Sequence, residues 1–314
     1  MTVISPVWPT LPANKFKRWQ MSVGLCSKRV SLGVGKTGTA KSSPAIDSYQ
    51  GIGHAYSMIS GVLLDLSGVI YEGEKPLPGA VNSITRLRDT GLPLCFVTNT
   101  TRSPKQVIKK KLERLGLQVQ DSEIFTPAQA ARDWLRKNNR SPYLLVHPNF
   151  VREFEGVQGG DERAVVVGDA GDAFNYAALN RAFRELIEGA ELLALAENRT
   201  FKDAEGRLSL DAGPFVRALE FASQRNAILI GKPSCEFFAS ALAHIRCPPE
   251  KAVIIGDDAE ADVSGALRAG IGHALLVRTG KYRPGDEQRF KPPATAVVED
   301  IRAATAWIVA HHFR

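Results

Sequence analysis

Four short polar strings, spaced along the chain, carry side chains suited to holding a phosphate group and a divalent cation. They are DLSGV at 65–69, TN at 98–99, GKP at 231–233 and GDD at 256–258. Together they offer carboxylates, hydroxyls, an amide and an ammonium group. Hard cations prefer carboxylate ligands, whereas ammonium, hydroxyl and amide groups donate hydrogen bonds to phosphate oxygens. The strings therefore predict phosphoryl chemistry, provided that the fold brings them together.

Each string directly follows an apolar run that is typical of a buried strand. The runs are VLL before Asp65, LCFV before Thr98, AILI before Gly231 and AVII before Gly256. Parallel strands end at a common edge of their sheet, and ligands of open α/β folds bind at that edge. We therefore expect the four strings to converge there.

The acidic residues of these strings predict a metal site. Taken alone, Asp65 is more typical of a helix cap or a turn, and Lys232 taken alone fits a solvated loop. Asp257 and Asp258, however, end another strand, and clustered carboxylates repel one another unless a cation compensates them. Mg²⁺ is the expected cofactor, because it takes oxygen ligands and also binds phosphate.

Apolar periodicity predicts alternating strands and helices from residue 59 onward, hence an α/β fold with a doubly wound, mostly parallel sheet. Ser103 and Pro104 are typical of a helix start. The predicted helices are 79–90, 103–115, 127–137, 175–187, 235–245, 262–269 and 302–311, and the predicted strands beyond those before the strings include 143–146, 164–167, 191–196 and 274–278.

The domain organisation follows from the spacing of the strings. The interval between residues 99 and 232 is too long for one crossover connection, and it contains strands and helices of its own. We therefore expect a core made of residues 58–126 and 211–314, into which a second lobe at 127–210 is inserted. Residues 1–57 form a leader before this body.

The leader holds seven basic residues and one acid, Asp47, so it supplies +6 of the formal net charge of +7. Its composition is typical of a mitochondrial or plastid transit peptide, although a disordered tail or an over-long gene model that truly starts at Met58 also fits. Its GVGKTG string at 33–38 lacks the strand and helix of a nucleotide-binding loop. The expected location is the cytoplasm, or a mitochondrion or plastid if the leader is a transit peptide.

The remaining residues are nearly neutral, so binding of nucleic acid through a broad basic face is not expected. No run of about 18 apolar residues occurs, so no membrane partner is expected either. The expected partner is a phosphorylated small molecule, because the four polar strings predict phosphoryl chemistry. A homodimer remains open, because the sequence does not fix the oligomeric state.

In their order and strand context, the four strings resemble the haloacid dehalogenase superfamily of phosphohydrolases. The stretches VVVGDAGDAFNYAALNRAF and LLALAEN are similar to the large α/β cap of its NagD-type branch. The stretches LLDLSGVIY, LDAGPFVRALEFAS, GKPSCEFFASAL and VRTGKYRPGDE look most like branch members that hydrolyse pyrophosphate and N-phosphorylated lysine or histidine. The resemblance covers about residues 58–310 and implies a Rossmann-like core with an inserted C2-type cap.

The resemblance also implies roles for individual residues. Asp65 would be the nucleophile that forms an aspartyl phosphate. Mg²⁺ would be bound by the Asp65 carboxylate, the main-chain carbonyl of Ser67 and Asp257, while Asp258 or Asp262 would hold metal-bound water. The residues expected to contact the substrate phosphate are Ser67, Thr98, Asn99 and Lys232, the last of them also catalytic.

Ser67 departs from the broader superfamily, in which an aspartate two residues after the nucleophile acts as general acid and base. A serine hydroxyl is far too weak an acid for that role. We therefore expect leaving groups that need no acid at this position. Phosphate leaving from pyrophosphate and the amine of a phosphoramidate that is protonated beforehand both meet this condition.

Two other function classes remain open. One is a phosphomonoesterase for a small metabolite, and the other is a non-catalytic binding protein in which the serine marks lost activity. Retention of Asp65, Lys232 and Asp257 together disfavours the latter. For the former, the expected substrate-facing residues of the second lobe are Glu197, Asn198 and Arg199.

Overall fold

The structure is a computed structural model that describes residues 58–202 and 205–312. The leader, with its predicted targeting role and its GVGKTG string, lies outside the described residues. Strands and helices alternate along the described chain. The strands are β1 (Gly61–Asp65), β2 (Tyr71–Glu72), β3 (Lys75–Pro76), β4 (Leu94–Val97), β5 (Ile124–Phe125), β6 (Ser141–Leu145), β7 (Arg163–Val167), β8 (Glu191–Ala194), β9 (Thr200–Lys202), β10 (Leu208–Leu210), β11 (Ile228–Leu229), β12 (Ala252–Gly256), β13 (His273–Val277) and β14 (Ala296–Val298). The α-helices are α1 (Ala80–Arg88), α2 (Lys105–Arg114), α3 (Pro127–Lys137), α4 (Tyr176–Ile187), α5 (Ala212–Ser223), α6 (Cys235–His244), α7 (Gly265–Arg268), α8 (Asp286–Arg289) and α9 (Ile301–His312).

Six parallel strands form the larger sheet, in the order β14-β13-β12-β1-β4-β5. At its centre, Leu63 of β1 pairs with Ile254 of β12 on one side and with Cys95 of β4 on the other. Every residue of β1 is buried, as expected for a parallel strand covered on both faces. Three of the four polar strings therefore leave neighbouring strands at the same edge of one sheet, as predicted.

Four parallel strands form a second sheet, in the order β11-β8-β7-β6. This sheet corrects one expectation, because β11, the AILI run before Gly231, pairs with β8 and does not belong to the larger sheet. Its short, half-buried pair of residues suits an edge strand. The bounds 127–210 of the inserted lobe stay a prediction.

The larger sheet is held by hydrophobic clusters on both of its faces. Alternate residues of β1 point to opposite sides. Leu63 joins a cluster that includes Phe237 of α6 and continues to Leu193 of the second sheet. Leu64 joins a different cluster that includes Ile84 of α1. Burial of each side chain of this kind contributes about 1.5–3 kcal/mol to the stability of the fold. This packing stabilises the strands whose ends carry the polar strings.

Four α-helices of the described chain begin where a side-chain oxygen of the preceding residue accepts a main-chain N–H. These capping residues are Thr126 for α3, Asn175 for α4, Asp211 for α5 and Ser234 for α6. The predicted start of α2 at Ser103 is wrong by two residues. Pro104 is extended, with φ −57° and ψ 152°, so the helix begins at Lys105 without a side-chain cap.

The helical segment predicted at 262–269, in contrast, begins earlier than expected. Residues Ala259–Ser264 form a wide π-helical turn that continues into α7. Asp258 caps this turn by accepting the N–H groups of Glu260 at 3.1 Å and Ala261 at 2.9 Å. Among the described residues, no helix has both the length and the apolar character needed to cross a bilayer.

Candidate active site

A cavity of about 500 Å³ opens at the edge of the larger sheet, facing loops of the second sheet. We call one side the core wall, formed by Asp65, Ser67, Thr98, Asn99, Lys232, Asp258, Asp262 and Lys281. We call the other side the cap wall, formed by Asp169, Asn198, Phe201 and Asp211. Most of the residues singled out from the sequence therefore lie in one cavity.

Lys232 is buried between two carboxylates of the core wall. Its Nζ donates hydrogen bonds to Oδ1 of Asp65 and to Oδ1 of Asp262, both at 2.5 Å. Burial by itself would lower the pKa of Lys232, but Asp262 and Asp65 outweigh burial and raise that pKa above its usual value. The lysine therefore stays charged beside the predicted nucleophile.

Three buried carboxylates meet beside this lysine. Oxygen atoms of Asp65, Asp257 and Asp262 lie within 4.8 Å of one another. Burial, with Asp262 and Asp65 nearby, raises the pKa of Asp257 to about 8. Burial likewise raises the pKa of Asp262 to about 6, although Lys232 opposes the shift. The single positive charge of Lys232 does not compensate three carboxylates. The remaining negative charge and the oxygen donors fit a hard divalent cation such as Mg²⁺.

The two aspartates expected to hold metal-bound water lie in different surroundings. Asp262 belongs to the carboxylate cluster itself. Asp258 is engaged elsewhere, because it caps the π-helical turn and its Oδ2 lies 3.2 Å from Nζ of Lys281. Burial alone would raise the pKa of Asp258. The positive charge of Lys281 and the hydrogen bonds that Asp258 accepts from main-chain N–H groups outweigh burial and lower that pKa.

Two glycines and a main-chain N–H group surround the carboxylate of Asp257. Its Oδ2 accepts the N–H of Lys281 at 2.7 Å. A Cβ built on Gly68 or on Gly280 would collide with this same oxygen. Gly68 also has φ +84°, a conformation that other residues rarely adopt. Glycine is therefore required at both positions to leave room for the carboxylate.

Asn99 contacts the main chain of Lys232 with both ends of its amide. Nδ2 donates to the carbonyl oxygen of Lys232 at 2.9 Å, and Oδ1 accepts the N–H of Lys232 at 2.8 Å. Thr98 Oγ1 accepts the N–H of Thr100 at 3.2 Å, and Ser67 is exposed to the cavity. Asn99 thus positions the lysine, and the contacts of these three residues with a phosphate stay a prediction.

The cap wall was largely missed by sequence reasoning. Of the three residues expected there, Asn198 lines the cavity. Glu197 instead forms an ion pair with Arg217 at 3.2 Å. Asp169 and Asp211 are buried and line the cavity, and Asp169 lies 3.6 Å from Arg102, which reaches across from the loop after β4. The VVVGD string that carries Asp169 repeats the pattern of VIIGD before Asp258, which was a usable signal.

Lys281 was also missed, although it touches both Asp257 and Asp258. It follows β13, another strand of the larger sheet. Like the residues of the predicted strings, it therefore lies just beyond the end of an apolar strand. The signal was the TGK string at 279–281, directly after the apolar ALLVR run.

Two family models match the chain. One is described as haloacid dehalogenase-like hydrolase and matches residues 62–159, which include Asp65 and Thr98. The other is described as HAD-hydrolase-like and matches residues 229–304, which include Lys232 and Asp257. Both matches therefore fall on segments that build the core wall.

Two human proteins are similar over most of the chain. Haloacid dehalogenase-like hydrolase domain-containing protein 2 is 42% identical over 253 residues, which are 81% of this chain and 97% of that protein. Phospholysine phosphohistidine inorganic pyrophosphate phosphatase is 39% identical over 259 residues, which are 81% of this chain and 95% of that protein.

Solved structures share the fold. A 4-nitrophenylphosphatase from Thermotoga maritima superposes with a TM-score of 0.72 at 25% identity, covering 79% of this chain and 97% of its own. NagD from E. coli K-12 superposes with a TM-score of 0.71 at 24% identity, covering 78% and 98%. The predicted Rossmann-like α/β fold is thereby confirmed. The chain belongs to the haloacid dehalogenase-like hydrolase family and is a hydrolase of the phosphatase type.

Proposed function

We propose that this protein is a Mg²⁺-dependent phosphatase that hydrolyses inorganic pyrophosphate and N-phosphorylated lysine or histidine through an aspartyl phosphate. The observation that carries the proposal is the buried cluster of Asp65, Lys232, Asp257 and Asp262, of which all but Asp257 line the cavity. The choice of substrates is supported by the name of the human pyrophosphate phosphatase to which the chain is similar.

Asp65 is the proposed nucleophile. It ends β1 and pairs with Val97 of β4, so the sheet fixes its main chain, while Lys232 holds its Oδ1. A carboxylate oxygen of Asp65 attacks phosphorus, the bond from phosphorus to the leaving atom breaks, and the electron pair of that bond departs with the leaving group. Water then hydrolyses the aspartyl phosphate, which releases phosphate and restores the carboxylate.

The other core-wall residues prepare this step. Asp65, Asp257 and Asp262, with the main-chain carbonyl of Ser67, would hold Mg²⁺, which when bound supplies positive charge to the carboxylates and to the phosphoryl oxygens. Lys232 adds a fixed positive charge, and Asn99 orients the main chain that carries it. Thr98 would donate a hydrogen bond to a phosphoryl oxygen.

Ser67 supports leaving groups that depart without a proton from the enzyme. An alkoxide is a poor leaving group unless it is protonated, and a serine hydroxyl cannot supply that proton. A Ser67→Asp variant should therefore gain activity toward simple alkyl phosphates. Wild-type turnover of alkyl phosphates that matches its turnover of pyrophosphate would contradict this part of the proposal.

A phosphomonoesterase acting on an organic metabolite is the second candidate. The volume of about 500 Å³ lies in the range of pockets that hold drug-sized ligands and exceeds the needs of pyrophosphate. Tyr71 and Phe201 add ring surface to the lining, which would suit an organic leaving group.

The test is phosphate release from pyrophosphate, phospholysine and p-nitrophenyl phosphate, with and without Mg²⁺. The comparison is between wild type, Asp65→Asn and a control, Asp133→Asn, which changes an aspartate on α3 away from the cavity. We expect Mg²⁺-dependent turnover, strongest on the first two substrates, that is lost only in Asp65→Asn. Turnover confined to p-nitrophenyl phosphate favours the second candidate, and turnover that survives in Asp65→Asn overturns the nucleophile.

A further inference from the structure

Lys281 differs from the other cations that line the cavity. Among the described lining residues the cations are Arg102, Lys232 and Lys281. Lys232 is enclosed by two buried carboxylates, and Arg102 lies 3.6 Å from Asp169 of the cap wall. The side chain of Lys281 is 66% exposed and pairs with Asp258 at 3.2 Å. Exposed ion pairs contribute little to stability, so this ammonium group can exchange Asp258 for another anion at small cost.

The main chain of Lys281 is fixed beside the loop that follows the nucleophile. Oγ1 of Thr279 donates to the carbonyl oxygen of Gly68 at 2.5 Å. A Cβ built on Gly280 would collide with the Cα of Gly68, so the two loops are in close contact. The loop at 279–281 therefore lies next to residues 67–68, and both Ser67 and Lys281 line the cavity.

This position is where the missing acid would act. Ser67 stands two residues after Asp65, on the loop where an acid would have to protonate a departing group, and it cannot do so. A positive charge held beside that position can stabilise an anionic leaving group without any proton transfer. The loop that carries Lys281 contacts the loop that carries Ser67, and the exposed side chain of Lys281 lines the same cavity, so its ammonium group is the candidate for this role.

We propose that Lys281 binds the leaving group and compensates the negative charge that develops on it. The inference rests on the proposed function and deepens it by naming the class of leaving group. When the bond from phosphorus to the bridging oxygen of pyrophosphate breaks, its electron pair stays on that oxygen, and Lys281 stabilises the phosphate anion while keeping its own proton. A phosphoramidate that is already protonated on nitrogen releases a neutral amine, which gains nothing from Lys281.

The test is the pattern of activity loss in Lys281→Met. This variant keeps the main-chain N–H that Asp257 accepts, so the carboxylate cluster keeps its donor. We expect kcat/KM to fall about 100-fold for pyrophosphate and less than about threefold for phospholysine. Lys281→Arg should recover most of the loss. The matched control is Lys109→Met, which removes a lysine that pairs with Asp121 at 2.6 Å, outside the cavity.

A second measurement uses aryl phosphates alone. Loss in Lys281→Met should be larger for phenyl phosphate than for p-nitrophenyl phosphate, because the phenolate anion is the poorer leaving group and depends more on the lysine. The Mg²⁺ affinity of the variant, measured by calorimetry, should match that of wild type.

The outcomes separate the inference from the proposed function. Equal losses on all substrates, or a loss of Mg²⁺ affinity, would mean that Lys281 only supports Asp257 and Asp258, and would overturn the inference while leaving the phosphatase in place. Unchanged activity on pyrophosphate would overturn it as well. A wild type inactive on every substrate would overturn both.

Discussion

The two walls of the cavity are built in different ways. On the core wall, Lys232 makes two hydrogen bonds of 2.5 Å to buried carboxylates, and two glycines enclose Asp257. Asp169 of the cap wall instead pairs with Arg102, which is half-exposed and lies 3.6 Å away. The buried charges of the core wall are therefore fixed, whereas this contact of the cap wall is looser and can adapt to a substrate.

This difference suggests that the two walls have different functions. Chemistry needs charges that are already oriented when the substrate arrives, and burial makes their interactions strong. Selection among substrates needs contacts with the part of the molecule that leaves. Substitutions of the buried charges on the core wall should therefore change kcat, metal affinity and stability, and those on the cap wall should change KM.

Lys232→Met should produce the largest effect. It removes the cation between Asp65 and Asp262 and leaves both carboxylates buried without it. Without added Mg²⁺, we expect the free energy of unfolding to fall by about 3–5 kcal/mol, together with loss of measurable phosphatase activity. Chemical denaturation and phosphate release measure the two effects, with Lys109→Met as the surface control. Near-wild-type stability would show that Lys232 does not stabilise the buried carboxylates of Asp65 and Asp262.

Gly68→Ala and Gly73→Ala form a matched pair. Both glycines have positive φ, +84° and +56°, so both variants carry a backbone cost of about 1 kcal/mol. A Cβ at Gly68 collides with Asp257, whereas a Cβ at Gly73 meets nothing within 4 Å. We expect about a 100-fold fall in kcat for Gly68→Ala and little change for Gly73→Ala. Equal activities in the two variants would refute the conclusion that the Asp257 carboxylate needs a glycine at position 68.

The affinity for Mg²⁺ should rise with pH. In the folded, metal-free protein the pKa of Asp257 is about 8, against 3.8 for a free aspartate. The folded state therefore holds a proton that the unfolded state has lost, so this group makes stability fall as pH rises from about 4 through 8. Mg²⁺ must displace that proton, so its affinity should increase by up to about tenfold per pH unit in that range.

Calorimetric titrations at pH 6, 7 and 8, in buffers of different ionisation enthalpy, would measure both the affinity and the released proton. An affinity that stays constant between pH 6 and 8, without proton release, would exclude Asp257 as the group that gives up the proton.

Asp169→Asn should have the smallest effect. Its Oδ1 accepts the N–H of Gly171 at 3.0 Å, and an amide oxygen can keep that contact while the ion pair with Arg102 is lost. We expect less than about 1 kcal/mol of lost stability, because Arg102 is half-exposed. KM should change several-fold, with kcat and Mg²⁺ affinity unchanged. Steady-state kinetics on phospholysine measures this, and a collapse of kcat would remove the distinction between the walls.

Much of the core wall could be predicted from sequence because its residues directly follow apolar strands. Asp65, Thr98 and Asp257 each come at a strand end, and the parallel arrangement brings those ends together. The closeness of Asp262 to Asp65 and Asp257 could not be predicted, because its approach depends on the π-helical turn, which periodicity does not reveal. A Cβ on Gly256 would collide with Asp262, a packing constraint that no local pattern encodes.

The cap wall could not be predicted in the same way. Among its polar residues, Asp169 has a local signal in the VVVGD string, whereas Asn198 and Asp211 lie between elements, where the sequence has no period to read. The partner of β11 was also hidden, because a short apolar run predicts a strand without specifying its neighbour. Helix positions were predicted well for α3 and α4, where an amphipathic pattern and a capping residue agree.

The placement of β11 limits how the two parts of this chain can be exchanged with those of relatives. Ile228 and Leu229 pair with β8, and Lys232 follows them closely, so one short peptide joins a strand of the second sheet to the lysine proposed to be catalytic. If the second lobe were replaced by that of a relative up to residue 210, β11 of this chain would have to pair with β8 of the relative. An altered pairing would shift Lys232, which follows β11. Grafts of the second lobe should therefore carry the chain through Leu229.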